Sequence, residues 1–250
     1  MRVLILGGTT EASALARLLA ADARHEATLS LAGRTARPLP QPVPVRSGGF
    51  GGVAGLVEHL DRERIEAVVD ATHPYAARMS VNAVAACAEA GVPLASLRRP
   101  AWERQPGDLW QEVPSTAAAA AALGDPPRRV FVTVGRQELH VFAAAPQHRY
   151  VARLIETPDQ DGLPPDLVLL RQRGPFDRAA EERLLREQAI DVVVSKNAGG
   201  SATYAKIAAT RALGLPVVMI ARPDKPVGHV VASPEAALAW LDHQRSLRGV

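Results

Sequence analysis

The chain has 250 residues, of which 47% are hydrophobic, and this is enough for one large domain or two small ones with a buried core. Its formal net charge of +3 comes mainly from arginine, without a dense basic run or interleaved aromatic residues, which argues against a nucleic-acid partner. The arginine excess suits a small polyanionic ligand, and biased codon usage explains it equally well. The single cysteine, Cys87, excludes an intrachain disulfide. Since no apolar run reaches the length of a membrane span and no signal-peptide pattern opens the chain, we expect a cytoplasmic protein with no membrane partner.

The first predicted element is a short apolar strand, residues 2–6, which leads into a glycine turn, residues 7–12, and an alanine-rich helix. Such a unit directs backbone N–H groups and a helix dipole at an anion. In the dinucleotide-binding fingerprint, Gly7, Thr9 and Ala12 take the places of the three glycines. Alanine is tolerated at the third place, whereas threonine at the second is a departure. The turn alone fits a nucleotide site and a purely structural turn equally well.

The second predicted strand, residues 27–32, ends in Gly33-Arg34-Thr35. A site for NAD usually has a carboxylate at this place, which binds the ribose 2′-OH. Arg34 instead offers a guanidinium to a 2′-phosphate, so the pattern favours NADP. The plainer interpretation is an exposed arginine after a strand.

Unusual residues follow the next two predicted strands. The third strand ends in Gly48-Gly49-Phe50-Gly51-Gly52, where the glycines let backbone approach a ligand closely. The fourth ends in Asp70-Ala71-Thr72-His73-Pro74-Tyr75. Because ligands of open α/β sheets bind at the carboxyl ends of the strands, both loops are candidates for a site. A capping role for His73 and a packing role for Tyr75 are the alternatives.

The chain contains an internal repeat. Residues 65–70 (IEAVVD) match residues 190–195 (IDVVVS), and each segment has the β-branched composition of a buried parallel strand. A polar loop and a helix follow each, and Arg-Pro pairs at 99–100 and 222–223 keep the same order. Alternating strands and helices indicate parallel sheets with right-handed crossovers.

We therefore predict an α/β fold of two Rossmann-like domains with parallel sheets and a cleft between them. Residues 1–125 would form an N-terminal NADP-binding domain, and residues 126–250 a second domain that completes the substrate cleft. The same pattern is compatible with exchange of the last strand and helix of each repeat between the two sheets.

The second half also carries polar residues after its predicted strands. Gly135-Arg136 follow one strand, Ser195-Lys196-Asn197-Ala198-Gly199-Gly200 follow another, and Arg222 follows the last. Packing explains Lys196 poorly, and Gly199-Gly200 resemble an anion-binding nest. A solvated surface position is the alternative for Arg136 and Arg222. We find no metal-ligand set, no nucleophile elbow and no Gly-Lys-Ser/Thr phosphate loop.

These motifs resemble those of the precorrin-6A reductase family of cobalamin biosynthesis, together with its cobalt-precorrin-6A counterpart. The resemblance spans nearly the whole chain. It is carried by the segments 6–12 (LGGTTEA), 70–76 (DATHPYA), 133–136 (TVGR), 195–200 (SKNAGG) and 216–223 (PVVMIARP). It implies NADPH-dependent reduction of one double bond in the macrocycle of precorrin-6A to give precorrin-6B. The implied partners are this tetrapyrrole and, transiently, other enzymes of the cobalamin pathway.

The resemblance and the strand-end argument together assign three groups of residues. The expected cofactor-binding residues are Gly7, Gly8, Thr9, Thr10, Glu11, Arg34, Thr35, Gly49, Thr72, Gly135 and Arg136. The expected substrate-binding residues are Ser195, Lys196, Asn197, Gly199, Gly200, Thr203, Lys206 and Arg222. The proton that accompanies the hydride could come from His73, Tyr75, Lys196 or water, and no metal is expected.

Two other classes of protein stay open. A cofactor-free tetrapyrrole enzyme similar to uroporphyrinogen-III synthase would need the turn at Gly7 to be structural. A non-catalytic NADP sensor would not need Lys196 and Asn197 at the ligand. Binding of NADPH distinguishes the first alternative, and turnover distinguishes the second.

Overall fold

Two six-stranded sheets form the framework of the computed structural model, which describes residues 1–33, 38–158 and 161–249. In chain order, the strands are β1 (Arg2–Leu6), β2 (Glu26–Leu31), β3 (Val45–Ser47), β4 (Ala67–Asp70), β5 (Leu94–Leu97), β6 (Trp110–Val113), β7 (Arg129–Thr133), β8 (Arg149–Leu154), β9 (Leu167–Arg171), β10 (Val192–Lys196), β11 (Val217–Ile220) and β12 (His229–Val231). The helices are α1 (Thr10–Ala20), α2 (Gly52–Arg62), α3 (Ala77–Ala90), α4 (Thr116–Ala121), α5 (Arg178–Glu187), α6 (Ala205–Leu213) and α7 (Pro234–Leu247), and a 3₁₀ helix spans Arg136–Ala144.

All the pairings in both sheets are parallel, and the two strand orders correspond. One sheet has the order β12-β5-β4-β1-β2-β3, and the other has β6-β11-β10-β7-β8-β9. Both are the doubly wound order of dinucleotide-binding folds, in which the first strand lies at the centre next to the second and the fourth. The predicted fold class of two Rossmann-like domains with parallel sheets is confirmed.

The chain divides into two units at points that differ from the predicted boundary between residues 125 and 126. Unit 1 consists of Met1–Pro100 and Pro223–Val250, and unit 2 consists of Ala101–Arg222. The last strand of each repeat has been exchanged, since β6 pairs with β11 and β12 pairs with β5. The chain leaves each unit at one of the two matched Arg-Pro pairs.

The core of unit 1 lies on both faces of its sheet. Along β1, Val3 and Ile5 belong to a cluster on one face, whereas Leu4 and Leu6 belong to a cluster on the other. The first cluster includes residues of α1 and α7, and the second includes residues of α2 and α3. This burial on two faces explains why the strands read as continuous apolar runs.

The core of unit 2 contains more aromatic side chains. Phe131, Tyr150 and Phe142 are fully buried there, and Trp102 and Trp110 pack against the same sheet. In the described part of the chain, no helix is long and apolar enough to cross a membrane.

Candidate functional site

The turn between β1 and α1 is held against the neighbouring strand β2. The Gly7 N–H donates to the carbonyl of Ser30 at 2.9 Å, and a Cβ on Gly7 would lie 2.5 Å from Cδ1 of Leu29. Gly8 has φ +113°, and a Cβ built on it would meet nothing within 4 Å. A side chain on Gly7 would therefore have to displace the Leu29 side chain, whereas Gly8 gives the turn its conformation and faces open space among the described residues.

Thr9 has a structural role that the fingerprint did not predict. It is the N-cap of α1, where its Oγ1 accepts from the Ala12 N–H at 3.1 Å. The same hydroxyl donates to the carbonyl of Ala71 at 2.8 Å, just after β4. Threonine stands at the second fingerprint place because its hydroxyl caps the helix and ties two strand ends together, so this side chain is not left for a phosphate.

We expect Thr9→Ala to destabilise unit 1 by about 1–2 kcal/mol, because it removes an N-cap and a second hydrogen bond. Thr9→Ser keeps the hydroxyl and should cost much less. Denaturant unfolding of the two variants tests this. Equal midpoints for wild type and Thr9→Ala would contradict the capping role.

Glu11 belongs to an ion pair in the same unit. Its Oε2 lies 2.6 Å from Nη1 of Arg99, which follows β5, and it also accepts from the hydroxyl of Thr10 at 3.1 Å. The expectation that Thr10 and Glu11 bind a cofactor through their side chains therefore competes with a contact that joins the ends of β1 and β5.

The loop after β4 is organised by the buried carboxylate of Asp70. Its Oδ1 accepts from the backbone N–H and the hydroxyl of Thr72 at 3.1 and 2.6 Å, and its Oδ2 accepts from Ser80 at 2.5 Å. Lys225, from the segment that leads into β12, donates to the Thr72 hydroxyl at 3.0 Å. The exchanged segment thus brings a lysine to the predicted site loop.

His73 and Tyr75 lie together in this loop. The Tyr75 N–H donates to Nδ1 of His73 at 3.3 Å, and the two ring centroids are 5.6 Å apart. Because Nδ1 accepts, a neutral His73 carries its proton on Nε2. Both side chains are half-buried.

The glycine loop after β3 is bound by Arg46 of that strand. Arg46 Nη1 donates to Ser30 Oγ at 2.9 Å and to the Gly48 carbonyl at 3.0 Å, and its Nη2 donates to the Gly49 carbonyl at 3.2 Å. Its guanidinium lies 3.9 Å from the ring centroid of Phe50. Arg34 and Thr35, which the sequence assigns to the cofactor, lie outside the described residues.

In unit 2, Lys196 pairs with an acid that the sequence did not single out. Its Nζ lies 2.5 Å from Oε1 of Glu138, in the 3₁₀ helix after β7, and the Thr116 hydroxyl donates to Oε2 of the same carboxylate. The Lys196 side chain is 12% exposed and that of Glu138 is 38% exposed. Gly135 and Arg136, expected at the cofactor, begin this same helix in unit 2, and Gly135 has φ +95°.

The loop after β10 is held by side chains that were expected to bind substrate. Asn197 accepts from the Trp102 N–H at 2.8 Å and donates to the Trp102 carbonyl at 2.9 Å. Arg222 donates to the carbonyls of Asn197 and Ala198 at 2.8 and 3.0 Å. These contacts give Asn197 and Arg222 scaffolding roles.

The neighbouring glycines and serine are also drawn into this scaffold. The indole N–H of Trp102 donates to the Gly200 carbonyl at 2.7 Å, and Gly199 has φ +68°. Ser195 is buried and donates to the Lys196 carbonyl at 3.2 Å. Its position inside the sheet disagrees with the expected contact to substrate.

Lys206 is buried rather than presented to a ligand. Only 5% of it is exposed, its Nζ donates to the Thr203 carbonyl at 2.9 Å, and Nζ lies 4.9 Å from the Trp102 ring centroid. Burial lowers the pKa of Lys206 to about 7, against an opposing effect of Glu181. This geometry does not support substrate contact by the Lys206 ammonium, whereas substrate binding by Thr203 stays a prediction.

The buried lysine predicts a pH dependence of stability. Between about pH 7 and about pH 10 the unfolded chain keeps this proton whereas the folded chain has lost it, so the free energy of unfolding rises with pH in this window. Lys206→Met should remove that rise and increase stability near pH 7 by about 1 kcal/mol, a few degrees in Tm. Thermal unfolding of both proteins at several pH values measures it. Parallel pH profiles would contradict the assignment.

The residues in these contacts that were missed from the sequence include Arg46, Glu138, Lys225 and Trp102. Glu138 lies 58 positions before Lys196, and Lys225 belongs to the exchanged segment, so no local spacing connects them with their partners. Arg46 could have been found from the sequence, because it stands two positions before Gly48, the first residue of the predicted glycine loop.

A cavity of about 420 Å³ lies elsewhere in unit 2. It is lined by Arg153, Gln172, Arg173, Phe176, Ala180, Glu181, Arg183, Leu184 and Glu187, none of which belongs to the predicted site. The candidate site therefore depends on the strand-end loops and not on this cavity.

One group of metal-ligand residue types occurs within the described ranges: Asp22, His25 and Asp242. The Arg24 guanidinium forms ion pairs with both carboxylates, at 2.6 Å to Asp22 and 3.0 Å to Asp242. The guanidinium of Arg24 therefore already neutralises these carboxylates, in the place of a metal ion.

The structure brings the predicted residues together in two sets. In unit 1, the loops after β1 and β4 meet through the bond between Thr9 and Ala71, and the loop after β3 lies beyond β2 in the same sheet. In unit 2, the loops after β7 and β10 meet through the pair of Lys196 and Glu138. Each set occupies the carboxyl edge of its sheet, where ligands of such sheets bind.

Comparison with known proteins gives the family. The model of the precorrin-6x reductases CbiJ/CobK matches residues 2–242. A precorrin-6A reductase of Rhodobacter capsulatus is 52% identical over 250 residues, covering 100% of this chain and 99% of its own. A cobalt-precorrin-6A reductase of Salmonella typhimurium is 31% identical and covers 96% of each chain.

A solved structure agrees with these relatives. The structure of CobK precorrin-6A reductase matches with a TM-score of 0.93 and 51% identity, covering 98% of this chain and 97% of that chain. The resemblance carried by the strand-end motifs is thereby confirmed. The chain belongs to the precorrin-6x reductase family.

Proposed function

We propose that this protein is a precorrin-6A reductase, which uses NADPH to reduce one carbon–carbon double bond of the precorrin-6A macrocycle and gives precorrin-6B. The observation that carries this proposal is the 52% identity to a precorrin-6A reductase over the full length of both chains. A reductase family with this doubly wound fold indicates a nicotinamide cofactor, and the choice of NADPH is our finer proposal.

The described residues of unit 1 fit a dinucleotide. A Cβ on Gly8 would enter open space at the β1–α1 turn, which leaves room for the pyrophosphate beside the first turn of α1. Gly49 is exposed and a Cβ on it also meets nothing within 4 Å. When bound, the reduced nicotinamide supplies the hydride. Gly7, Gly8, Gly49 and Thr72 would border it, together with Arg34 and Thr35.

The chain itself has to orient the substrate and manage one proton. His73 is the proposed proton donor, because its half-buried imidazole lies in the loop after β4, at the carboxyl edge of the sheet where ligands of this fold bind. Lys196 is proposed to bind a substrate carboxylate, with Glu138 fixing its ammonium group. The Gly199-Gly200 backbone supports the same loop.

The proposal is tested by incubating the protein with precorrin-6A and either NADPH or NADH, and following the absorbance of the reduced cofactor. We expect oxidation that depends on precorrin-6A and is faster with NADPH. Conversion of the tetrapyrrole without cofactor would favour the cofactor-free alternative, whereas cofactor binding without turnover would favour the sensor. A parallel reaction with cobalt-precorrin-6A distinguishes the two forms of the substrate.

A further inference from the structure

Arg46 is a half-buried cation whose hydrogen-bond partners among the described residues are all neutral. Its guanidinium donates to Ser30 Oγ and to the carbonyls of Gly48 and Gly49. Among residues 1–33, 38–158 and 161–249, no carboxylate forms an ion pair with it, and burial together with nearby Arg62 lowers its pKa. A desolvated positive charge of this kind is stabilised by an anionic ligand.

The geometry leaves part of the guanidinium available. The three bonds use three of its five N–H donors, two on Nη1 and one on Nη2. The Nε–H and the second Nη2–H remain to bind a ligand. The Phe50 ring, 3.9 Å from the guanidinium carbon, covers one of its faces and fixes the plane. A planar fork held in this way suits the oxygens of a phosphate better than a neutral hydroxyl.

The surroundings are open where a ligand would lie. Among the described residues, a Cβ built on Gly48 or on Gly49 would meet nothing within 4 Å, and Gly48 has φ +115°. The loop therefore keeps its backbone uncovered directly beside the Arg46 guanidinium. Side chains at these two positions would fill that space.

The position in the sheet specifies which anion. Arg46 is paired in register with Ser30 of β2, and β2 is the neighbour of β1, whose following turn faces open space at Gly8. In this fold the ribose of the adenosine is recognised at the carboxyl end of the second strand. Arg46 reaches that end from the adjacent strand through its bond to Ser30.

We propose that Arg46 is a specificity-determining residue of the cofactor site, whose guanidinium binds the ribose 2′-phosphate of NADPH. This inference rests on the proposed use of a nicotinamide dinucleotide by this chain. With a 2′-hydroxyl in place of the phosphate, the half-buried charge would gain no anionic partner, which makes Arg46 a source of discrimination against NADH.

The alternative is that Arg46 only ties the glycine loop to β2. That role predicts equal losses for phosphorylated and unphosphorylated cofactors, because a loosened loop would affect both. The ratio of the two affinities therefore separates recognition from scaffolding.

The experiment measures the dissociation constants of NADPH, NADH, 2′,5′-ADP and 5′-ADP by calorimetry, for wild type, Arg46→Gln, Arg46→Lys and Arg62→Gln. Arg62 is the matched control, because it is a nearby arginine that already forms ion pairs with Glu63 and Glu58. In Arg46→Gln we expect NADPH and 2′,5′-ADP to bind about ten- to a hundredfold more weakly. NADH and 5′-ADP should change by less than about threefold, Arg46→Lys should be intermediate, and Arg62→Gln should resemble wild type.

Two results would overturn the inference. Unchanged binding of NADPH by Arg46→Gln would place the phosphate elsewhere, and an equal loss for NADPH and NADH would leave only the scaffolding role. A wild-type protein that binds NADPH no better than NADH would instead refute the proposed cofactor choice, and this is visible before any variant is compared.

Discussion

Replacing Gly8 with valine is expected to abolish cofactor binding while leaving a protein that still unfolds cooperatively. Gly8 has φ +113°, a conformation that costs a branched residue about 1–3 kcal/mol. No atom of the described residues lies within 4 Å of the added Cβ, so the side chain enters open space rather than the core. That space is where the proposed pyrophosphate would lie, and we expect affinity to fall by more than about a hundredfold.

Gly91→Val is the matched control for Gly8→Val. Gly91 also has a positive φ, +64°, and a Cβ on it would meet no described residue within 4 Å. It is the C-cap of α3, however, and anions bind at the N-terminus of a helix rather than at its C-terminus. The control should lose stability and retain NADPH binding by calorimetry. Retained binding in Gly8→Val would mean that the turn is structural only. If Gly8→Val fails to fold, Gly8→Ala, with a smaller side chain, repeats the comparison.

The sheets were predictable because their strands carry a strong local signal. Continuous β-branched runs such as Val192–Val194 are typical of strands that are covered on both faces. The internal repeat showed that such strands and their helices follow one another in the same order in both halves of the chain. The repeat is compatible with exchange of β6 and β12 and with its absence, so the sequence left this point open. Each is an edge strand of three or four residues, and its partner is chosen by tertiary packing that the local pattern does not contain.

The site was predictable as a set of loops but less well as a set of side chains. Asp70 and Lys196 were found because polar residues after apolar strands are unusual. Whether such a residue is left for a ligand depends on distant contacts, as with Asn197, whose amide is bound by Trp102, 95 positions away. Lys206 is not available to a ligand because it is buried in unit 2. A residue type alone does not contain that information.

Replacing Lys196 with alanine is expected to raise KM for the tetrapyrrole about tenfold or more, with kcat and NADPH affinity little changed. The Lys196 ammonium lies 2.5 Å from Glu138, so its removal leaves a partly buried carboxylate with one fewer cation beside it. A substrate rich in carboxylates would then meet repulsion as well as the loss of an anchor. An anchoring contact made equally in the ground and transition states changes KM and not kcat.

Glu138→Gln separates the anchor from a purely structural ion pair. Its isosteric amide keeps a hydrogen-bonding partner for Lys196 but releases the positive charge, so KM should stay the same or fall. The double variant Lys196→Ala/Glu138→Gln should recover part of the affinity lost in Lys196→Ala, because the repelling carboxylate is gone. Steady-state kinetics with varied precorrin-6A measures the KM and kcat of all three variants.

A collapse of kcat in Lys196→Ala at saturating substrate would make the lysine a participant in the chemical step. If both single variants instead raise KM equally and lower Tm equally, the pair only supports the fold, since opposite charges cannot both anchor the same anion.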